Sequence, residues 1–122
     1  SSAHYIVGAY LTGRDKSILY TLVNSSNMWE RRIAMMSTFY FIKQKNFSDA
    51  LKIAKILQRD PEDLIHKAVG WMLREVGNRA PKRERDFLAK HYHKMPRTML
   101  RYAIEKFEET ERKKKQYKYV IN

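Results

Sequence analysis

Residues 60–78, DPEDLIHKAVGWMLREVGN, decide the fold because they carry a helix start, a helix end and the apolar spacing between them. Asp60 followed by Pro61 indicates a helix start, since proline at the first helical position wastes no backbone donor. Gly77 and the asparagine after it are typical of a helix end, so we expect the helix to run to about Val76. Helical spacing of apolar residues recurs along the chain and no alternating strand pattern is present. The sequence therefore predicts an all-α protein.

Six further helices follow from the same spacing and from capping residues. They are a helix from Ser2 through Leu11 that ends at Gly13, one capped by Asp15, one from Met28 to about Lys43 capped within Ser25, Ser26 and Asn27, one capped by Ser48, one from Pro81 to about His93, and one that Pro96 opens.

Three of the helices begin alike, with a basic residue before a mainly apolar stretch. These residues are Arg32, Lys67 and Arg97, spaced by 35 and then 30 residues. One helical hairpin per repeat of this length predicts a right-handed α-α superhelix of HEAT-like hairpins, with an irregular helical bundle as the alternative. In the superhelix the three cations would line one concave wall.

The fifth predicted helix offers a second clue, because Lys67, Trp71 and Arg74 share one helical stripe. An indole between two cations suits phosphates that flank an exposed base or sugar. The alternative is that Trp71 packs in the core while the two cations are merely solvated.

Composition favours a folded protein with a polyanionic partner. The 122 residues include 25 Lys and Arg against 13 Asp and Glu, a formal charge of +12, and 43% are hydrophobic. Such a surface favours nucleic acid over an acidic membrane, since the apolar faces are needed for helix packing. The absence of cysteine excludes disulfides, thiolate metal sites and cysteine nucleophiles, and it fits a reducing cytosol. We expect one domain over residues 1–122 with no membrane-spanning helix and no signal peptide.

Residues 108–122 form a basic C-terminal tail around the block Arg112-Lys113-Lys114-Lys115. Such a block is typical of a frayed, solvated terminus. The alternative is a non-specific hook for phosphates.

Few residues indicate enzymatic chemistry. His91 and His93 lack a third ligand at a recognisable metal spacing, so we expect no metal site and a surface role for both. Glu30 and Glu75 are the acidic candidates on the basic helices, where a salt bridge to a neighbouring arginine is the expected use. Phosphate-binding loops and serine or zinc hydrolase motifs are absent from the sequence.

Four segments, residues 29–34, 37–42, 63–77 and 95–107, resemble the DNA alkylation repair family of AlkD-type alkylpurine DNA glycosylases, and the similarity covers nearly all of residues 1–107. The resemblance implies HEAT-like repeats, duplex DNA with alkylated purines as partner, no small-molecule cofactor and a bacterial cytosolic location. It also implies excision of N3- and N7-alkylated purines without base flipping. The leaving base is already cationic, so the remaining task is to stabilise an oxocarbenium-like sugar with a carboxylate.

Carried over by position, Trp71 would contact the lesion and its sugar, while Arg32 and Arg74 would hold phosphates. Lys67, Arg97 and Arg101 extend that phosphate-binding set by helix geometry alone.

In the family a catalytic aspartate, with a tryptophan four residues before it, precedes the segment that resembles residues 1–11. The resemblance therefore implies that residues 1–122 are the C-terminal half of such an enzyme and contain no catalytic residue. We expect this half alone to bind DNA weakly without releasing bases. A non-catalytic solenoid that binds DNA or protein is the alternative, and an RNA-binding solenoid is a third.

Overall fold

The computed structural model describes residues 16–121 of the chain. Over these residues it is helical without a strand, which confirms the all-α prediction. The helices are α1 Ser17–Val23, α2 Met28–Lys43, α3 Ser48–Leu57, α4 Asp63–Arg79, α5 Pro81–His91, α6 Arg97–Ala103, α7 Glu109–Arg112 and α8 Lys118–Ile121, with 3-10 turns at Tyr92–Lys94 and Lys115–Tyr117. The predicted helix from Ser2 through Leu11, the Gly13 stop and the Asp15 cap lie outside the described residues.

The six longer helices form two layers. In one, which we call the inner row, α2 packs against α4 and α4 against α6. Helices α1, α3 and α5 pack on this row, and α1 also contacts α3. The arrangement is the one that stacked helical hairpins produce, and their assignment as HEAT-like repeats stays a prediction.

One continuous apolar core runs between the layers, from Leu19 of α1 to Val120 of α8. Helix α4 lies at its centre and buries six of its apolar side chains, Ile65, Ala68, Val69, Met72, Leu73 and Val76. Gly70 marks where α4 crosses α6, because a Cβ there would lie 2.5 Å from the Met99 carbonyl oxygen and from the Tyr102 Cβ. The glycine therefore permits the closest helix contact of the inner row.

Both predicted ends of α4 were wrong. The helix begins at Asp63 and continues through Gly77 to Arg79. Asp60 lies before the helix, where its carboxylate accepts a hydrogen bond from the Glu62 backbone N–H at 3.0 Å. Pro81 ends α4, because the residue before a proline is driven to extended backbone and Ala80 has φ −143°.

Caps were predicted with mixed success. Asn27 caps α2, its Oδ1 accepting from the backbone N–H of Trp29 at 2.8 Å, and α2 ends at Lys43 as expected. Ser48 does not cap α3, since it is the first helical residue and Phe47 occupies the cap position without a side-chain hydrogen bond.

The basic tail is folded, so the expectation of a frayed terminus was wrong for its backbone. Tyr117 is only 1% exposed and its ring contacts Phe107 edge to face at 6.1 Å between centroids. Arg85 of α5 bonds Glu111 of α7 at 2.7 Å from Nε to Oε2, which ties the tail to the second layer. The lysines of the basic block remain exposed around this packed backbone.

Helices long and apolar enough to cross a membrane do not occur among residues 16–121.

Candidate nucleic-acid interface

The inner row carries all six residues that the sequence analysis selected. Arg32 lies on α2, Lys67, Trp71 and Arg74 lie on α4, and Arg97 and Arg101 lie on α6. Because α4 packs between α2 and α6, the three helices bring these residues to one layer of the molecule.

Trp71 is a surface residue held by one edge. It is 37% exposed, which rules out the alternative of a sealed core indole. Its Nε1–H donates to Glu75 Oε2 at 3.1 Å, and Glu75 Oε1 in turn accepts from Arg79 Nη1 at 2.9 Å. The Arg79 guanidinium also lies 5.7 Å from the centroid of the Phe39 ring on α2. This chain of contacts orients the indole and uses the Glu75 carboxylate in a salt bridge, as expected.

Arg74 is not an available cation, because Glu105 neutralises it. Its Nη1 lies 2.8 Å from Glu105 Oε2, and its side chain is 17% exposed. Lys67 pairs with Asp63 at 3.2 Å, but this i,i+4 pair is well exposed and contributes little.

The other three predicted cations have no such partner. Among residues 16–121 no hydrogen bond or ion pair engages Arg32, Arg97 or Arg101. Arg97 and Arg101 are exposed one turn apart on α6, and Arg32 is half-buried on α2. Uncompensated positive charge therefore lies on both sides of Trp71, at the two outer helices of the row.

Sequence reasoning missed Trp29, the most exposed large apolar side chain among the described residues, at 58%. It stands three residues before Arg32 in the first turn of α2, so the two share a helix face. That spacing was the available signal, and it pairs an exposed indole with an unpaired arginine much as α4 pairs Trp71 with Lys67.

A buried carboxyl borders the row on its other side. Glu84 of α5 is 2% exposed and lies against Gly77 of α4, in a cavity of about 610 Å³ that Arg74 also lines. Burial raises the pKa of Glu84 to about 8, although the positive charges of Arg85 and Arg74 oppose the shift. Glu84 is therefore largely protonated at neutral pH and adds little negative charge to the surface.

The described residues offer no cluster for a metal ion, since residues 16–121 bring together no group of three or more His, Asp or Glu ligands. Glu30, the other acidic candidate, accepts a hydrogen bond from Ser25 Oγ at 2.5 Å and has no arginine partner.

These features define a layered, basic α-helical protein whose inner row presents two indoles beside unpaired arginines. The family model described as DNA alkylation repair enzyme matches residues 1–107, and the chain belongs to that family. Neither a curated protein nor a solved structure gives a significant match to it.

Proposed function

The family places the protein in the repair of alkylated DNA. We propose that the enzyme hydrolyses the N-glycosidic bond of N3- or N7-alkylated purines in duplex DNA, without flipping the base. In this proposal residues 16–121 supply part of the DNA-binding surface. The exposed, oriented indole of Trp71 between Arg32 and the α6 arginines is the observation that carries it.

Each proposed contact has a physical role. Arg32, Arg97 and Arg101 are unpaired and would hold phosphates, which fixes the register of the duplex without reading its sequence. The face of the Trp71 ring carries negative electrostatic potential and would stabilise the positive charge that grows on the sugar as the base leaves. Lys67 and Arg74 would add phosphate contacts only by exchanging Asp63 and Glu105 for the DNA backbone.

The carboxylate that should assist the departing base is not apparent near Trp71 within the described chain, because Glu75 is committed to Trp71 and Arg79. This agrees with the resemblance, which assigns that role to an aspartate upstream of Ser1. We therefore propose that residues 1–122 alone bind duplex DNA in a salt-sensitive manner and release no base. Base release from 7-methylguanine DNA by these residues alone would contradict the assignment.

Substitution of Trp71 tests the site in the full-length enzyme. We expect Trp71→Ala to slow release of 7-methylguanine while changing the melting temperature little, because more than a third of the residue is exposed. Trp71→Phe keeps an aromatic face without the indole N–H and should restore much of the rate. A large drop in melting temperature for the alanine variant would instead assign Trp71 a structural role.

The alternative is a non-catalytic protein of the same fold that binds DNA or protein, and the commitment of Glu75 is compatible with it. The two differ in one measurement, since only the enzyme releases alkylated bases when the upstream residues are present. Competition between duplex DNA and RNA of matched length tests the third candidate, an RNA-binding protein.

A further inference from the structure

A second basic surface lies on helices that the proposed lesion site does not use. It is a groove of about 460 Å³ between α3 and α5, which we call the outer groove. Its cations are Lys52 and Lys55 from α3 and Arg83 and Lys90 from α5, with His91 at one end. None of these residues belongs to the inner row.

The charge of the outer groove is uncompensated. Among residues 16–121 no ion pair engages Lys52, Lys55, Arg83 or Lys90. Asp86 is the carboxylate that lines the groove, and Lys82 already holds it at 2.9 Å. Like charges gathered without counter-charges repel one another in the free protein, so an anion that enters the groove relieves that repulsion.

His91 registers this repulsion. Its pKa is lowered by burial and by the positive charges of Lys55, Lys94, Lys90 and His93. Its ring packs on Phe87 with 4.4 Å between centroids, and its Nδ1 is buried without a hydrogen-bond partner in the described structure. The ring therefore reports directly on any anion that reaches the cations around it.

The layout suits an extended polyanion better than a small anion. Arg83 and Lys90 lie seven residues apart on α5, which separates them by about 10 Å along the helix. Lys52 and Lys55 face them one turn apart on α3, and the Arg83 guanidinium stacks 5.7 Å from the centroid of the Phe47 ring. Four cations along the two walls of an open groove match a run of phosphates on one nucleic-acid strand.

We propose that the outer groove binds the phosphate backbone of a second DNA segment while the inner row engages the first. Duplex DNA is the occupant we favour because the chain belongs to a DNA repair family and the groove is cationic rather than apolar. The protein would thereby bridge two duplex segments. This goes beyond the proposed function, since base release requires only the segment on the inner row.

Charge removal tests the proposal on the 122-residue chain. The groove variant is Lys52→Gln with Lys55→Gln, and the control is Lys113→Gln with Lys118→Gln, which removes the same charge from the exposed tail. We expect the groove variant to lower the salt slope of duplex binding by about 2 and to abolish energy transfer between two differently labelled duplexes. The control should retain bridging. Equal slopes and equal bridging in the two variants would overturn the proposal.

The His91 ring supplies an independent readout by NMR titration. Duplex DNA should raise the pKa of His91 in the wild-type chain, because bound phosphates offset the lysines that lower it. The Lys52→Gln, Lys55→Gln variant should show a smaller rise. An unchanged His91 titration at saturating duplex would refute the groove as the contact. Stronger groove-dependent binding to phosphatidylserine vesicles than to DNA would refute DNA as the occupant.

Discussion

Replacing Glu84 by glutamine isolates the free energy of a carboxyl group buried at the junction of α4 and α5. Glu84 is 2% exposed, and its Oε2 is buried without a hydrogen-bond partner among the described residues. Burial raises its pKa from 4.5 to about 8. The folded protein therefore binds the Glu84 proton far more tightly than the unfolded chain does.

The sign of the pH dependence follows from this difference. A carboxyl whose pKa is higher in the folded state contributes its full stability below the unfolded pKa of 4.5, and this contribution is lost as pH rises through about 8. One unit of pKa corresponds to about 1.4 kcal/mol, so the upper bound on the loss is about 5 kcal/mol. Rearrangement of Arg74 and Arg85 toward the ionised carboxylate reduces it, and we expect a loss of about 2–4 kcal/mol.

The assay is urea unfolding followed by circular dichroism between pH 5 and pH 9, with wild type and Glu84→Gln in parallel. Glutamine has nearly the same shape and does not ionise, so the variant should gain stability relative to wild type as pH rises. His91 also titrates in this range, but it does so in both proteins and cancels from the difference. Asp86→Asn is the matched control, because Asp86 lies on the same helix with an exposed side chain.

A constant difference between Glu84→Gln and wild type across this pH range would refute the reasoning. The same holds if Asp86→Asn reproduces the pH-dependent gain. Either result would mean that Glu84 ionises in the folded state as easily as a surface carboxyl does.

Three further predictions concern the packing and charge of the inner row and the tail. Gly70→Ala should lower the free energy of unfolding by about 1–3 kcal/mol in urea titrations, because its Cβ would meet the α6 backbone, whereas an exposed helical glycine normally gains from alanine. Glu105→Gln should tighten duplex binding about two- to fivefold at low salt by releasing Arg74, and fluorescence anisotropy at high salt should show the gain vanish. Tyr117→Ala should cost about 3 kcal/mol in the same urea assay, and a change near zero would mean that the tail does not pack.

The sequence determined helix identity better than helix ends. The apolar spacing and Asn27 located α2 correctly, because an N-cap and the period of a helix are local properties. Gly77 misled the prediction for α4 because its role is tertiary. The residue leaves room for the Glu84 side chain of the next helix, and nothing in the local sequence distinguishes that use from a helix stop.

The tail illustrates the same division. Its lysine block predicts solvation, and the lysine side chains are indeed exposed. Its backbone is nevertheless fixed by Tyr117 and Val120, two apolar residues spaced for one helical face at the edge of the charged run. A composition argument averages over the block and hides them, whereas a contact with Phe107 depends only on those positions.

Charge could be predicted in amount but not in distribution. The sum of +12 indicates a polyanionic partner. Which cations meet that partner depends on pairs that are distant in sequence, such as Arg31 with Asp60 or Arg74 with Glu105, and no spacing rule reveals them. Arginines that join two helices through a carboxylate are consumed by the fold. The cations left over on α2 and α6, and those of the outer groove, then supply the field that a phosphate backbone encounters. The Glu105→Gln and outer-groove variants therefore examine one principle from opposite sides, since the first releases a consumed arginine and the second removes free lysines.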